Sequence, residues 1–387
     1  MLTGTYRPER ASVQPPIYFD HHATTPCDPR VVEAMLPYFT SDFGNAASLT
    51  HHFGRRASNA IEDARVTIAR FLGVQANEIV FTAGATESNN AALSLLRPGE
   101  HAITSAIEHT SVLRPLERAV AAGAELTILT PDGEGRIFAV GVAAAMKPNT
   151  RLVSIEAANS EIGVLHPIGE IAALCRARGI LFHSDITQAA GKVPVDLTGV
   201  DLASWSAHKL YGPKGIGGLF IRGGVTVPPL LLGGGQESGR RSGTVNVPAV
   251  VGMGVAFSLR AGEMVDEAVR LAALRDELRD RLLAEVSGTS VNGPRGLRLP
   301  GNLNLSFERI EGEALIMSLR RFAVSAGSAC SSRERGPSRI LNAIGAPHPE
   351  LGAVRIGLGK SNTPDHVAMF VDDIKRAVGR LREITAA

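Results

Sequence analysis

From Glu78 to about residue 183 the chain alternates short apolar runs with longer amphipathic stretches, and this rhythm most constrains its fold. Residues 78–82, 101–105, 125–129, 151–155 and 180–183 read as strands; 86–96, 110–122, 138–146 and 168–178 read as the helices between them. Strands joined by helices run parallel, and their helices cover both faces of the sheet. Before this region come a short strand at 17–24, a helix from Asp28-Pro29 to Phe39, and a helix over 52–72 with Ala57, Ile61, Ala64 and Ile68 on one face. A long amphipathic helix at 261–286 ends the rhythm. After it the order is strand 302–307, helix 313–321, strand 322–325, helix 338–344, strand 353–358 and helix 364–384. The expected division is a large α/β domain, 24–260, and a smaller α+β domain made of 1–23 and 261–387.

Bulk properties exclude several function classes. The chain has 387 residues, and 40 Lys and Arg stand against 38 Asp and Glu, a net charge of +2, so neither nucleic acid nor an anionic membrane surface is a default partner. The three cysteines, Cys27, Cys175 and Cys330, are far apart and form no Cys-x-x-Cys pair, which argues against a zinc site and for a reducing compartment. Residues 1–14 lack the apolar core of a signal peptide, and no later run is long and apolar enough to span a membrane. A cytoplasmic protein without metal is expected.

Four stretches carry chemistry. In Ser206-Ala207-His208-Lys209 a lysine follows the apolar strand end Leu202–Trp205 and precedes Gly212, Gly215, Gly217 and Gly218, read as a tight loop. Desolvation there favours the neutral amine, a nucleophile towards carbonyl groups; a surface lysine beside a hairpin is the plainer alternative. In 79–88 (IVFTAGATES) an apolar strand ends at small residues and a helix starts near Thr86, which makes either an anion site or an ordinary capped helix. In 181–188 (LFHSDITQ) Asp185 lies just past a strand end, at the rim where α/β sheets bind ligands, and His109 follows strand 101–105 in the same way. Each is also compatible with a cap or a structural histidine. In Ser325–Ser332 (SAGSACSS) Cys330 stands among small residues, with Arg333 and Arg335 nearby, the setting of a reactive thiolate or of an inert cysteine.

Together these stretches resemble the cysteine desulfurases of the IscS/NifS type, within the class V, fold-type-I pyridoxal-phosphate (PLP) enzymes. YFDHHATTPCDPR, FGNAAS, FTAGATES, EHTSV, NSEIGV, FHSDITQAAGK, SAHKLYGPKGIG, GGGQESGRRSGT and SAGSACSS occur in family order at matching spacings. The resemblance implies a fold-type-I transferase: a large domain with a mostly parallel seven-stranded sheet plus a smaller α+β domain carrying the Cys330 loop. It implies that Lys209 binds the cofactor covalently, that His109 stacks on the ring and serves in proton transfer, and that Asp185 and Gln188 pair with the ring nitrogen and phenolic oxygen. Ala85, Thr86, Ser206 and His208 match phosphate ligands, and Thr244 matches a phosphate contact given by the other subunit of a homodimer. Arg355 matches the residue that holds the carboxylate of L-cysteine, and Cys330 the cysteine that takes the sulfur as a persulfide for an acceptor or scaffold protein. The spacing after SAGSACSS fits the long-loop subtype.

Three departures qualify the match. Ser160 stands where the family has an asparagine near cofactor or substrate, Leu232 replaces a histidine, and the chain stops at Ala387, short of the tail with which IscS-type members dock a scaffold. A selenocysteine lyase or class V aminotransferase on the same scaffold, and more remotely an idle partner of a sulfur-transfer complex, stay open at the level of sequence.

Overall fold

The computed structural model describes residues 15–326, 338–347, 351 and 353–386. Seven strands build its main sheet: Ile79–Thr82 (β2), His101–Ser105 (β3), Glu125–Leu129 (β4), Thr150–Ser154 (β5), Leu181–Asp185 (β6), Leu202–Ser206 (β7) and Gly217–Ile221 (β8). A two-residue strand, Ile17–Tyr18 (β1), precedes them. The order across the sheet is β2-β8-β7-β6-β5-β3-β4. Only β8 runs antiparallel to its neighbours β2 and β7. The mostly parallel seven-stranded sheet expected from the sequence is therefore present.

The glycines at 217 and 218 do not form a loop as expected. They open β8, because Trp205 of β7 lies across them: a Cβ on Gly218 would sit 2.2 Å from the Trp205 indole, and one on Gly217 2.2 Å from the Trp205 carbonyl. Side-chain-free positions are what let the hairpin close over a buried indole.

The helices follow the reading closely with two differences. His52–Leu72 (α3) buries the stripe Ala57, Ile61, Ala64, Ile68 and Leu72. The helix expected over 28–39 is two, Pro29–Met35 (α1) and Pro37–Thr40 (α2), since Pro37 has no N–H to continue the first. Ala85–Leu93 (α4), Thr110–Ala121 (α5), Ala139–Ala145 (α6) and Ile168–Ala177 (α7) connect the parallel strands. The long helix Val247–Glu285 (α8) starts far earlier than position 261. Its first part is apolar on all sides and shows no amphipathic period; it is buried, with Val250, Met253 and Phe257 in the main core beside Trp205 and Phe182. Each such side chain contributes roughly 1.5–3 kcal/mol by leaving water.

Farther along the same helix, Leu271, Leu274, Leu278 and Leu282 enter a second core with Phe19, Phe322 and Phe370. That core lies under Thr289–Val291 (β9), Asn302–Phe307 (β10), Ser325–Ala326 (β12) and Val354–Gly357 (β13), ordered β12-β13-β10-β9, with Phe322–Ala323 (β11) paired to β1. Gly312–Ser318 (α9), Arg339–Ala343 (α10) and Pro364–Ala386 (α11) complete it. Phe19 thus belongs to the C-terminal core, while the chain just after it, His22–Thr25, crosses to the edge of the main sheet and bonds to His208 and Lys209.

Candidate active site

The parallel strands deliver their chemistry-bearing residues to one edge, the C-terminal ends of β3, β5, β6 and β7. At the end of β2 the chain turns through Gly84, whose φ of 151° suits glycine, into the start of α4. There the Ala85 N–H donates to Ser206 Oγ at 2.7 Å, tying the helix start to the end of β7. Ala85 is buried and Thr86 is exposed at the mouth.

Asp185 ends β6 and is buried. Its Oδ2 accepts from Asn89 Nδ2 at 2.7 Å and its Oδ1 from the Thr187 N–H at 2.9 Å. No ion pair to Asp185 occurs among the described residues. An internal carboxylate with amide partners and no cation is costly unless something cationic completes it. His109 caps α5: its Nδ1 accepts the Ser111 N–H at 3.1 Å and lies 2.7 Å from Ser111 Oγ.

Lys209 follows β7 on a short helical turn, and its Nζ donates to the carbonyls of His22 and Ala23 at 2.6 and 2.7 Å. Gln188 lies alongside: its Nε2 donates to the His22 carbonyl at 3.0 Å, and its Oε1 accepts from Lys192 Nζ at 2.7 Å. Burial, aided by the Lys209 and Arg355 cations, pushes Lys192 well below the usual ammonium range. His208 packs back on Thr24, with Nδ1 at 3.0 Å from Thr24 Oγ1; burial and the Lys209 charge lower its pKa to about 4, so the ring is neutral at physiological pH.

Arg355 comes from β13. Its guanidinium donates to Asp20 Oδ1 at 2.8 Å and to the Ser160 carbonyl at 3.3 Å, and its Nε is buried without an acceptor. Ser160 is half-buried in the loop after β5, and its link to Arg355 runs through the backbone. Thr244 is exposed in the segment leading into α8 and has no hydrogen bond to this cluster among the described residues. Cys330, with Arg333 and Arg335, lies outside the described residues. Of the other cysteines, Cys175 is buried in the core with its thiol pushed up to about 12, and Cys27 is raised by burial and by Asp28. Both are poor thiolates.

Three groups escaped the sequence reading. Asn89 and Ser111 bridge Asp185 to His109. Spacing held the signal, since Asn89 lies one turn after Ala85 on α4, but an asparagine on a helix carries no chemistry of its own. Behind the site Glu108, Glu156 and Glu161 are buried; desolvation raises all three carboxyls, Glu108 and Glu156 well above the ordinary range.

Comparison with known proteins puts these residues in context. Residues 17–370 match the family model of the class-V aminotransferases. The chain is 47% identical over 380 residues to the cysteine desulfurase IscS of Anaeromyxobacter dehalogenans, covering 96% of this chain and 94% of that one. Among solved structures it is similar to a NifS-like protein, at 35% identity and a TM-score of 0.87, covering 94% of this chain and 99% of that one. It is also similar to SspA in complex with cysteine, at 36% identity and a TM-score of 0.78, covering 88% and 98% of the two chains.

Proposed function

The chain belongs to the class-V aminotransferase family, and from that premise we infer that it is a PLP-dependent cysteine desulfurase of the IscS/NifS type. The observation that carries the reading is Asp185, buried with amide partners and no ion pair among the described residues, on the same sheet edge as Lys209. A buried carboxylate without a cation suits a pyridinium nitrogen. The residues fit PLP in two further ways: Lys209 supplies a primary amine, and the turn at Gly84 leads into the start of α4, tied to Ser206 Oγ, where a phosphate would meet a helix start. PLP, when bound, supplies the electron sink that makes the Cα–H of an amino acid acidic and loosens its Cβ–S bond.

The remaining work falls to the protein. Asp185 would keep the ring nitrogen protonated, Gln188 would meet the phenolic oxygen, and Ala85, Thr86, Ser206 and His208 would hold the phosphate. Arg355 would bind the carboxylate of L-cysteine beside Ser160. Lys209 would take the Cα proton at Nζ. The Cys330 thiolate then attacks the substrate sulfur: an S–S bond forms, the Cβ–S bond breaks with its electron pair left on carbon, and that carbon takes a proton. L-cysteine and the Cys330 thiol give L-alanine and a Cys330 persulfide, which passes its outer sulfur to an acceptor or scaffold protein.

Thr244 completes the phosphate site of a second copy in this reading, so the working unit is a homodimer. Its exposure in one chain fits a residue whose ligand belongs to the partner. No helix among the described residues is long and apolar enough to cross a membrane.

The deciding experiment separates cofactor chemistry from sulfur transfer. Cys330→Ala should retain the visible absorbance of bound PLP and its change on adding L-cysteine, while alanine release falls by two orders of magnitude or more. Cys27→Ala and Cys175→Ala should stay near wild type. Full turnover in Cys330→Ala would remove the persulfide route and favour a lyase that frees sulfur without a protein carrier.

A further inference from the structure

The bridge between Asp185 and His109 fixes the protonation geometry of the histidine. A backbone N–H can only donate, so the Ser111 N–H at 3.1 Å requires a lone pair on His109 Nδ1. The Ser111 hydroxyl, 2.7 Å from the same nitrogen, must then donate as well, which leaves its oxygen to accept from Asn89 Nδ2 at 2.8 Å. The second hydrogen of that amide goes to Asp185 Oδ2 at 2.7 Å. Turning the amide over would set its oxygen against a carboxylate oxygen, so Asp185 dictates its orientation. Asn89 is fully buried, and its Oδ1 has no partner. A buried acceptor left unpaired costs roughly 1–3 kcal/mol, and this amide bears that cost while both of its N–H groups serve Asp185 and Ser111.

We propose that Asn89 and Ser111 are positioning residues that hold neutral His109 as its Nε2–H tautomer, so that His109 meets the substrate as a hydrogen-bond donor at Nε2. Protonating Nδ1, or moving the proton there from Nε2, would set its N–H against the Ser111 backbone N–H, which cannot turn away or accept. His109 is therefore a poor base at Nε2, and the Cα proton is left to Lys209. The same amide couples the two functions: any shift of Asp185 towards a bound ring pulls on Asn89 and, through Ser111, on the imidazole. The role given to His109 rests on the desulfurase reading; the tautomer does not.

The test reads the tautomer directly. Isotopically labelled histidine in the full-length holoenzyme, above the imidazole titration range, reports which ring nitrogen carries the proton, with His109 assigned from the signals lost in His109→Gln. Wild type should show a bare Nδ1 and a protonated Nε2. Ser111→Ala should move both signals towards tautomer averaging and lower kcat about tenfold, the weight of one hydrogen bond, with KM changed less than about twofold. Ser111→Thr should restore both. Asn89→Ala should shift the same signals and also the absorbance maximum of bound PLP through Asp185; should that variant fail to fold, the Ser111 pair alone decides. A protonated Nδ1 in wild type overturns the proposal, as does a Ser111→Ala protein with both tautomer and kcat unchanged. Absence of alanine release from a wild-type protein with the expected tautomer would overturn the role of His109 and the desulfurase reading together, leaving the hydrogen-bond chain as found.

Discussion

Burial keeps several of the described histidines neutral for structural reasons. His166 is buried and lies 3.2 Å from the Gly135 carbonyl; His183 is buried between the hydroxyls of Ser154 and Ser204. Desolvation lowers both to about 4. The unfolded chain binds protons near 6.5 and the folded chain only near 4, so the stability these groups leave intact above the unfolded value is lost as pH falls through that window. For His166 the difference corresponds to about 3 kcal/mol at full effect. Urea unfolding followed by Trp205 fluorescence should show a lower midpoint at pH of roughly 5 than at roughly 7.5, and His166→Gln should flatten that dependence. An unchanged slope in the variant would mean that His166 is protonated in the fold. Sequence alone does not separate these roles. His183 lies in β6 and His109 follows β3 at the start of α5, and only the donors facing each ring distinguish a substrate group from a core group.

At the scale of elements, the parts legible in the sequence were those with a period. The stripe of α3 and the buried run β3 were read to the residue, since burial on one face or both leaves a pattern; β4 was read to the residue from its apolar run alone, since none of its residues is buried. The first fourteen residues of α8 were not, because a helix buried on all sides has no polar face to mark it. Pro37 divided a helix that composition had joined, and Gly217 and Gly218 looked like a loop because the Trp205 indole that demands them lies on another strand. The same packing logic predicts where α8 is least tolerant. A Cβ on Gly254 would come 2.7 Å from the Ala64 Cβ of α3, backbone against backbone, with no flexible side chain to give way. Gly254→Val should therefore destabilise the protein by about 1–3 kcal/mol through overpacking, seen as a fall in Tm, whereas Gly262→Ala in the same helix, where nothing lies within 4 Å, should raise Tm slightly. Equal Tm values for the two variants would mean that α3 and α8 can separate without loss.

For the whole molecule, the two cores meet along α8, and the site draws on both: Lys209, Asp185 and His109 from the main sheet, and Arg355 from β13. Among the described residues Thr244 is exposed and has no hydrogen bond to this chain's own cluster, and its proposed role yields a test of subunit sharing that needs no structure of a complex. A Lys209→Ala chain has no cofactor amine, and a Thr244→Ala chain lacks the phosphate contact. If Thr244 serves the partner's site, a dimer containing one chain of each kind has one site with both defects and one site with neither. Random pairing of equal amounts makes half the dimers mixed, and one of two sites in each is whole, so activity should recover to roughly a quarter of wild type. If Thr244 served its own chain, every site in every dimer would lack one group or the other, and mixing would give only the average of the two parent activities. Unfolding and refolding the chains together before assay, against a control mixed without refolding, distinguishes the cases: recovery that appears only after exchange supports the shared site, and recovery in neither sample assigns Thr244 to its own chain or to no site at all.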